Sequence, residues 1–539
     1  MARRERGGGR SAPGEPGSLP RPNGPAPWEG RHLSPGLYRW GLVLAAALGA
    51  ALRVADLGRP FNGFGATGWN EGHYALIALN FDRYGLWSQH DDLGADYTFS
   101  PGVPWLIWLA FRAFGPHEWA ARLPGVLCGV AAIVLVAALV RRLLGSEQVA
   151  LAAAGFVATA PGIVYYSQNT QLDTPSIACA LAAAVSVLRH RDSGGGRELI
   201  AAGVWAALAV WFKFTAVLVY PALLAWWWAL RPRRPLSAAF AAAACVALTV
   251  LPSAAWVLYG EWTGRTVGSF YHRPWTLRGV EQALIEIPLI VMSHLFVPIG
   301  ALLLAGIPIA WRWRPRFRWL GIWCWPWVSL FLVFPYSSVV NRYYDLPATY
   351  LLVTLAALGL WAALAARRSA DALGRAVLIG LGIVVALNAA YVLWDPTTDR
   401  LSRTMTAHPA PLDPAPFYSA KVVARLPRGH TVVDAPQTMF YAGGDPAWVI
   451  LIGGDGDVRR AIDRETFDYI LLNDYWHSQP PYYPVDDALR SRLARHRYVQ
   501  IAPAAWAHTS AGQKGWIPPS RPYIDARKGF RVVWDPAGP

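Results

Sequence analysis

Between residues 37 and 394 the chain reads as long apolar runs separated by short polar breaks. LYRWGLVLAAALGAALRVA, GVLCGVAAIVLVAALV and VLIGLGIVVALNAAYVLW supply or approach the roughly 20 apolar residues that a helix needs to cross a bilayer. With charge clusters as loop markers, the pattern predicts about eleven spans. They fall near 37–56, 122–140, 149–165, 174–188, 198–212, 214–230, 236–258, 283–310, 319–334, 346–366 and 375–394. Beyond about 405 the apolar runs become short: HTVVDA, WVILIGG, FDYILLN and RYVQIA alternate with helix-like DVRRAIDR and DDALRSRLARH. That alternation predicts a small α/β domain over 405–539. The expected fold class is therefore mainly α: a polytopic membrane protein with a small C-terminal α/β domain.

Composition agrees with a bilayer as solvent, since 54% of the residues are hydrophobic, 15% are charged and 28 are tryptophan. The net charge of +15 does not indicate nucleic acid. Its arginines sit in short breaks, RRLLG, RHRDSGGGRE, RPRRP, RWRPRFR and ARRSADALGR, and in the N-terminal tail at Arg3, Arg4, Arg6, Arg10, Arg21 and Arg31. By the positive-inside rule those breaks are cytoplasmic. The other side receives residues 57–121, 165–173, 259–282, 335–345 and everything after 395, so an odd span count leaves the C-terminal domain outside a plasma membrane. Residues 1–36, rich in Gly, Pro and Arg, are expected to be a disordered tail, and the first span a retained anchor rather than a signal peptide. Within the large outer loop 57–121, PGVPWLIWLAFRAFG is too short to span comfortably and predicts a helix lying in the interface. The cysteines Cys128, Cys179, Cys245 and Cys324 all lie in apolar runs, where a thiol packs as a small hydrophobe. GGDGD at 453–457 reads as a turn.

Four polar stretches on the outer side carry candidate chemistry. Lys213 is the first lysine in the chain, with the next at 421, and it stands inside the apolar run VWFKFTAVLVYP. It either snorkels to headgroups or, as a compact point charge, holds a phosphate oxygen. GWNEGHYALIALN places Glu71 beside Asn70, His73 and Tyr74; Asn and Glu here either cap a helix or serve a site. YYSQNTQLDTPSIA holds Asp173, which suits a helix N-terminus and equally a proton acceptor. VVNRYYDLPATY offers Arg342, Tyr343 and Tyr344, either a phosphate clamp or part of the interfacial aromatic belt. Two acids, a lysine and an Arg-Tyr-Tyr cluster at one membrane face suit a substrate with a lipid tail, an anionic phosphate and a polar head.

These residues resemble the GT-C fold glycosyltransferases, particularly bacterial members of glycosyltransferase family 39, which are similar to protein O-mannosyltransferases and the aminoarabinose transferase of lipid A. The resemblance runs over about residues 37–366 through NEGHYALIALNFDRYG, SPGVPWLIWLAFRAFG, EWAARLPGVLCG, LDTP, KFTAVLVYPALL and NRYYDLPATYLL, in that order. It implies transfer of a sugar from a polyprenyl-phosphate donor on the outer face to a glycan, lipid or protein acceptor, with inversion at the anomeric carbon. It also implies a catalytic acid in the first loop, usually in an Asp-Glu pair. Here the pair is Asn70-Glu71, so either Glu71 is the base, or another acid such as Asp173 or Asp92 is, or activity is lost; Glu71 is the favoured choice. The resemblance makes Lys213 and the Arg342, Tyr343, Tyr344 motif donor-phosphate contacts, with Asn70, His73 and Tyr74 beside the substrate and Arg122 a phosphate or structural partner. Some relatives bind a divalent metal; His73, His90, Asp91 and Asp92 form no clear ligand motif for one. The readings set against transfer are a transporter or lipid flippase, and a non-catalytic protein of the same fold.

Overall fold

The computed structural model describes principally residues 33–55, 65–91, 100–193, 195–229, 250–256, 277–333, 346–365 and 370–394. Residues 26, 28, 57–58 and 61 are also described, as are shorter stretches beyond 420, chiefly 429–433, 436–441, 448–450, 462–465, 467–471, 487–502, 505–508, 523–524 and 532–533. Helix α1 spans Pro35–Val54, opened by Ser34, whose hydroxyl accepts from the Leu37 N–H at 3.3 Å, and by proline at its first position. Then follow α2 (Gly65–Tyr84), α3 (Gly102–Phe114) and α4 (Glu118–Leu144). Gly145, at φ +64°, closes α4, and Ser146 caps α5 (Glu147–Thr159). Pro161 lacks an N–H and starts a new helix, α6 (Pro161–Ser167), bent 59° from α5. Helices α7 (Asp173–Ser193), α8 (Gly196–Phe212), a short 3-10 turn at Phe214–Leu218 and α9 (Val219–Ala229) complete the first half. Further helices cover Leu277–Arg312, Arg314–Val333, Leu346–Ala365 and Ala370–Trp394.

Among the described residues three helices are long and apolar enough to cross a membrane: Pro35–Val54, Glu118–Leu144 and Leu346–Ala363. The bent pair α5 and α6 makes a fourth if taken as one span. By that measure the expected count of about eleven is not recovered. Helical structure does stand on each predicted stretch, although most of 236–258 lies outside the described residues and only its end, from 250, is seen as helix. Some of these elements are simply short, as α8 is with 17 residues.

Every residue of α5 is buried, and α1, α4 and the Leu346–Ala365 helix pack around it. The Leu277–Arg312 and Leu346–Ala365 helices approach so closely that a Cβ on Gly306 would lie 1.9 Å from the Leu355 carbonyl oxygen, and one on Gly359 2.0 Å from that of Leu302. Small residues at such crossings let helix backbones touch where lipid offers no hydrophobic drive to association. Trp28, expected in a disordered tail, is instead fully buried, its ring edge-to-face with Trp313, Phe317 and Trp361. The tail expectation fails there because one large aromatic finds a ready aromatic pocket. Residues 1–25 lie outside the described residues.

The C-terminal part forms a five-stranded sheet. Its strands are Thr431–Val433, Trp448–Ile450, Tyr469–Leu471, Tyr498–Ala502 and Ala505–His508, with the first three parallel and the last two antiparallel. The helix Pro436–Tyr441 of this domain seats on α2. Phe440 packs on Phe61 (4.9 Å between ring centres) and Phe111, the Tyr441 hydroxyl accepts from the Phe61 N–H at 2.8 Å, and Arg83 donates to the Gly443 carbonyl at 3.0 Å.

Candidate active site

Arg122 lies in the first turns of α4 and is fully buried. Its Nε donates to Glu71 Oε1 at 2.9 Å, Nη2 to Glu71 Oε2 at 3.3 Å, and Nη1 to the Leu57 carbonyl at 2.8 Å, while Phe61 lies 5.1 Å below the guanidinium carbon. One side chain thus ties α2, α4 and the exit of α1 together. Glu71 is itself fully buried with both oxygens held in a fork, the geometry that lets an ion pair survive outside water. Asn70 and Glu71 sit five and six residues past the start of α2, so neither caps it. Above the pair lies Tyr441, whose hydroxyl pKa is pushed well above the ordinary value by burial and then by the nearby Glu118 carboxylate.

A polar turn connects this pair to a second ion pair. Asn70 Nδ2 donates to Gln171 Oε1 at 3.2 Å, and two residues on, Asp173 opens α7. Asp173 Oδ1 accepts from Lys213 Nζ at 2.6 Å. Lys213 is a single extended residue (φ −151°, ψ 118°) between α8 and the 3-10 turn, its N–H still bonded to the Ala209 carbonyl at 3.0 Å. Ser176 donates to that same Ala209 carbonyl at 2.8 Å, locking α7 to the last turn of α8. The Asp173–Lys213 pair lines a small cleft with Ser176, Thr215, Trp327 and Pro347, and the lysine side chain keeps 12% exposure against none for Glu71.

The turn between α6 and α7 is held by residues the sequence reading did not single out. Gln168 Nε2 donates to the Leu52 and Ala55 carbonyls at 2.7 and 3.1 Å. Buried Arg53 donates to the carbonyls of Gly49, Ala158 and Val157 at 2.9, 3.1 and 3.1 Å, bracing the last turns of α1 and α5 where the bend to α6 begins. Gly125 and Gly129 of α4 leave room for this turn: a Cβ on either would stand 2.8 Å from the Ser167 carbonyl oxygen or 2.7 Å from its hydroxyl. At the opposite end of α4 Arg141 pairs with Glu147 at 2.5 Å, and Arg142 with Asp192.

The structure therefore brings Asn70, Glu71, Arg122, Asp173 and Lys213 to one end of the helices. It separates them into a fully sealed pair and a pair whose lysine keeps slight exposure. His73 and Tyr74 are buried with rings 5.3 Å apart, and Tyr74 packs with Phe61, Phe81 and Ile107 in an apolar cluster, away from the cleft's lining. Asp92, Arg342, Tyr343 and Tyr344 lie outside the described residues, and the backbones of His90 and Asp91 form a short strand with Gly94–Ala95. Among the described residues no three His, Cys, Asp or Glu side chains converge as a metal site.

Residues 99–258, which include Arg122, Asp173 and Lys213, match the family model described as dolichyl-phosphate-mannose-protein mannosyltransferase. No curated protein matches the chain by sequence. Among solved structures, ArnT from Cupriavidus metallidurans in the apo state is 16% identical, with a TM-score of 0.61 over 87% of this chain and 98% of that one. The same protein bound to undecaprenyl phosphate is 15% identical, with a TM-score of 0.58 over 88% and 98%. The oligosaccharyltransferase AglB from Archaeoglobus fulgidus, in complex with an inhibitory peptide and a dolichol-phosphate, is 14% identical, with a TM-score of 0.52 over 88% and 74%. The chain has the GT-C fold. Its structural neighbours are glycosyltransferases and oligosaccharyltransferases embedded in membranes. Within this GT-C chain, Asp173, Ser176, Lys213 and Thr215 of the cleft fall inside the stretch that the family model covers, while Trp327 and Pro347 come from beyond it.

Proposed function

We propose that this protein is an inverting glycosyltransferase of the outer face of the plasma membrane, moving a sugar from a polyprenyl-phosphate donor to an acceptor hydroxyl. The observation that carries the proposal is the Asp173–Lys213 pair at 2.6 Å, lining a cleft at the end of the helices in a GT-C fold. In the proposed step the acceptor oxygen attacks the anomeric carbon and its proton passes to Asp173. The bond from that carbon to the phosphate oxygen breaks, and Lys213 stabilises the polyprenyl phosphate that leaves.

The sequence and its family resemblance favour Glu71 as the base. A carboxylate with no exposed surface and both oxygens committed to one guanidinium is a poor proton acceptor, because protonating it would strand Arg122 as a buried unpaired charge. The proposal therefore gives Glu71 the task of holding α2 against α4, and Asp173 the task of taking the proton. A second reading, a non-catalytic protein of the same fold, draws support from Asn70 standing where the family resemblance implies an acid, and from the sealing of Glu71. The two readings part on one experiment: purified protein given a polyprenyl-phosphate-linked sugar, with release of polyprenyl phosphate followed. Release by the wild type that Asp173→Asn abolishes supports the enzyme; no release across a panel of sugars and acceptors supports the second reading.

A further inference from the structure

Lys213 faces two calls on one charge. Its ammonium is compact and can be pulled fully toward one anion, and Asp173 holds it at 2.6 Å beside a small cleft that both residues line. A phosphate bound in that cleft is a second anion seeking the same cation, and a carboxylate beside it repels it unless the lysine lies between them. Lys213 is placed to move: it is a lone extended residue between two helical segments, with three rotatable donors on a four-carbon stem. Asp173 is not, since it is anchored in the first turn of α7 beside Thr174, whose hydroxyl donates to the Tyr166 carbonyl at 3.2 Å.

We infer that Asp173 and the donor's phosphate compete for Lys213, so that Asp173 becomes a proton acceptor only when a phosphate has drawn the lysine away. This rests on the proposed transferase reading and adds to it an order of events. While Lys213 is held by Asp173, the carboxylate is quenched as a base and water has no activated partner in the cleft. As the glycosyl–phosphate bond breaks, charge grows on the leaving phosphate oxygen and strengthens its claim on the ammonium. Asp173 gains basicity at the moment the acceptor's proton needs a destination. Once protonated, Asp173 has no claim on Lys213; when it gives the proton up, it reclaims the lysine and loosens the lipid phosphate for release.

The test is binding of undecaprenyl phosphate to the full-length protein in detergent, with a double-mutant cycle over Asp173→Asn and Lys213→Gln. If Asp173 holds the lysine about nine-tenths of the time, Asp173→Asn tightens binding about tenfold. The gain disappears in the Lys213→Gln background, because there is no longer a cation to release. Weaker or unchanged binding by Asp173→Asn overturns the inference, since it makes Asp173 a support for the lysine and not a rival. A tenfold gain that persists undiminished with Lys213→Gln also overturns it, reducing Asp173 to a plain repulsive charge. Should Asp173→Asn fail to fold, Asp173→Ser removes the charge while keeping a good residue for the start of a helix. Wild-type protein that shows no saturable binding sinks the transferase reading itself, an outcome distinct from either of the others.

Discussion

Removing the Glu71 carboxylate gives the sharpest test of its assigned role. In Glu71→Ala the guanidinium of Arg122 loses its bidentate carboxylate partner while having no surface exposed to water. Breaking a buried pair from one side costs about 3–5 kcal/mol, because the remaining charge loses its ionic partner and gains no water in exchange. Glu71→Gln keeps an acceptor of the same shape and should lose less, about the 1.5–3 kcal/mol typical of a hydrogen bond to a charged group. The informative variant is Glu71→Met combined with Arg122→Met. Replacing both charges with apolar side chains removes the penalty along with the attraction, so the double variant should unfold near the wild-type temperature although each single change is damaging. Thermal unfolding of protein in lipid nanodiscs, followed by tryptophan fluorescence, reads every one of these variants against the wild type. Glu71→Ala melting with the wild type, or a double variant as damaged as the two single effects added together, refutes the argument that this pair is a fastener.

Three further expectations come from the packing. Gly306→Leu drives a side chain into the Leu355 backbone and should separate the Leu277–Arg312 and Leu346–Ala365 helices, read as loss of monodisperse folded protein; a wild-type elution profile contradicts it. Trp28→Ala empties a pocket between Trp313, Phe317 and Trp361 and should cost about 3–5 kcal/mol, as large aromatic truncations do, whereas an unchanged melt would return Trp28 to the tail. Arg53→Met takes the side-chain donor from the Val157 and Ala158 carbonyls at the end of α5 and should destabilise by about 1–3 kcal/mol, with faster amide exchange across 167–173; unchanged exchange there would show that Gln168 alone holds the turn.

What the sequence made legible follows the physics of one-dimensional pattern. Apolar runs announce helices in lipid because every backbone group must be satisfied within the segment, and helices do stand on those runs. Strands stand at HTVVDA, WVILIGG, FDYILLN and RYVQIA, where short β-branched runs meet turn residues. The strand at Ala505–His508 was missed, since its Ala-rich sequence carries little β signal. Lys213 was legible through its isolation. Its partner was not, because Asp173 lies 40 residues away and the pairing depends on how α7 meets α8. The commitment of Glu71 to Arg122, 51 residues distant, was hidden for the same reason. Arg53 read as one more charge at the end of an apolar run, and only the bend at Pro161 explains what it braces.

The central claim is that Asp173, released from Lys213 by a phosphate, is the base of a sugar transfer while Glu71 is structural. Single-turnover release of polyprenyl phosphate from a polyprenyl-phosphate-linked sugar tests it most directly, in wild type, Asp173→Asn and the Glu71→Met, Arg122→Met pair. The account predicts a loss of about a hundredfold or more in Asp173→Asn, on the scale of removing a general base, with transfer surviving in the double variant. Full activity in Asp173→Asn, or a folded, lipid-binding double variant that transfers nothing, contradicts it.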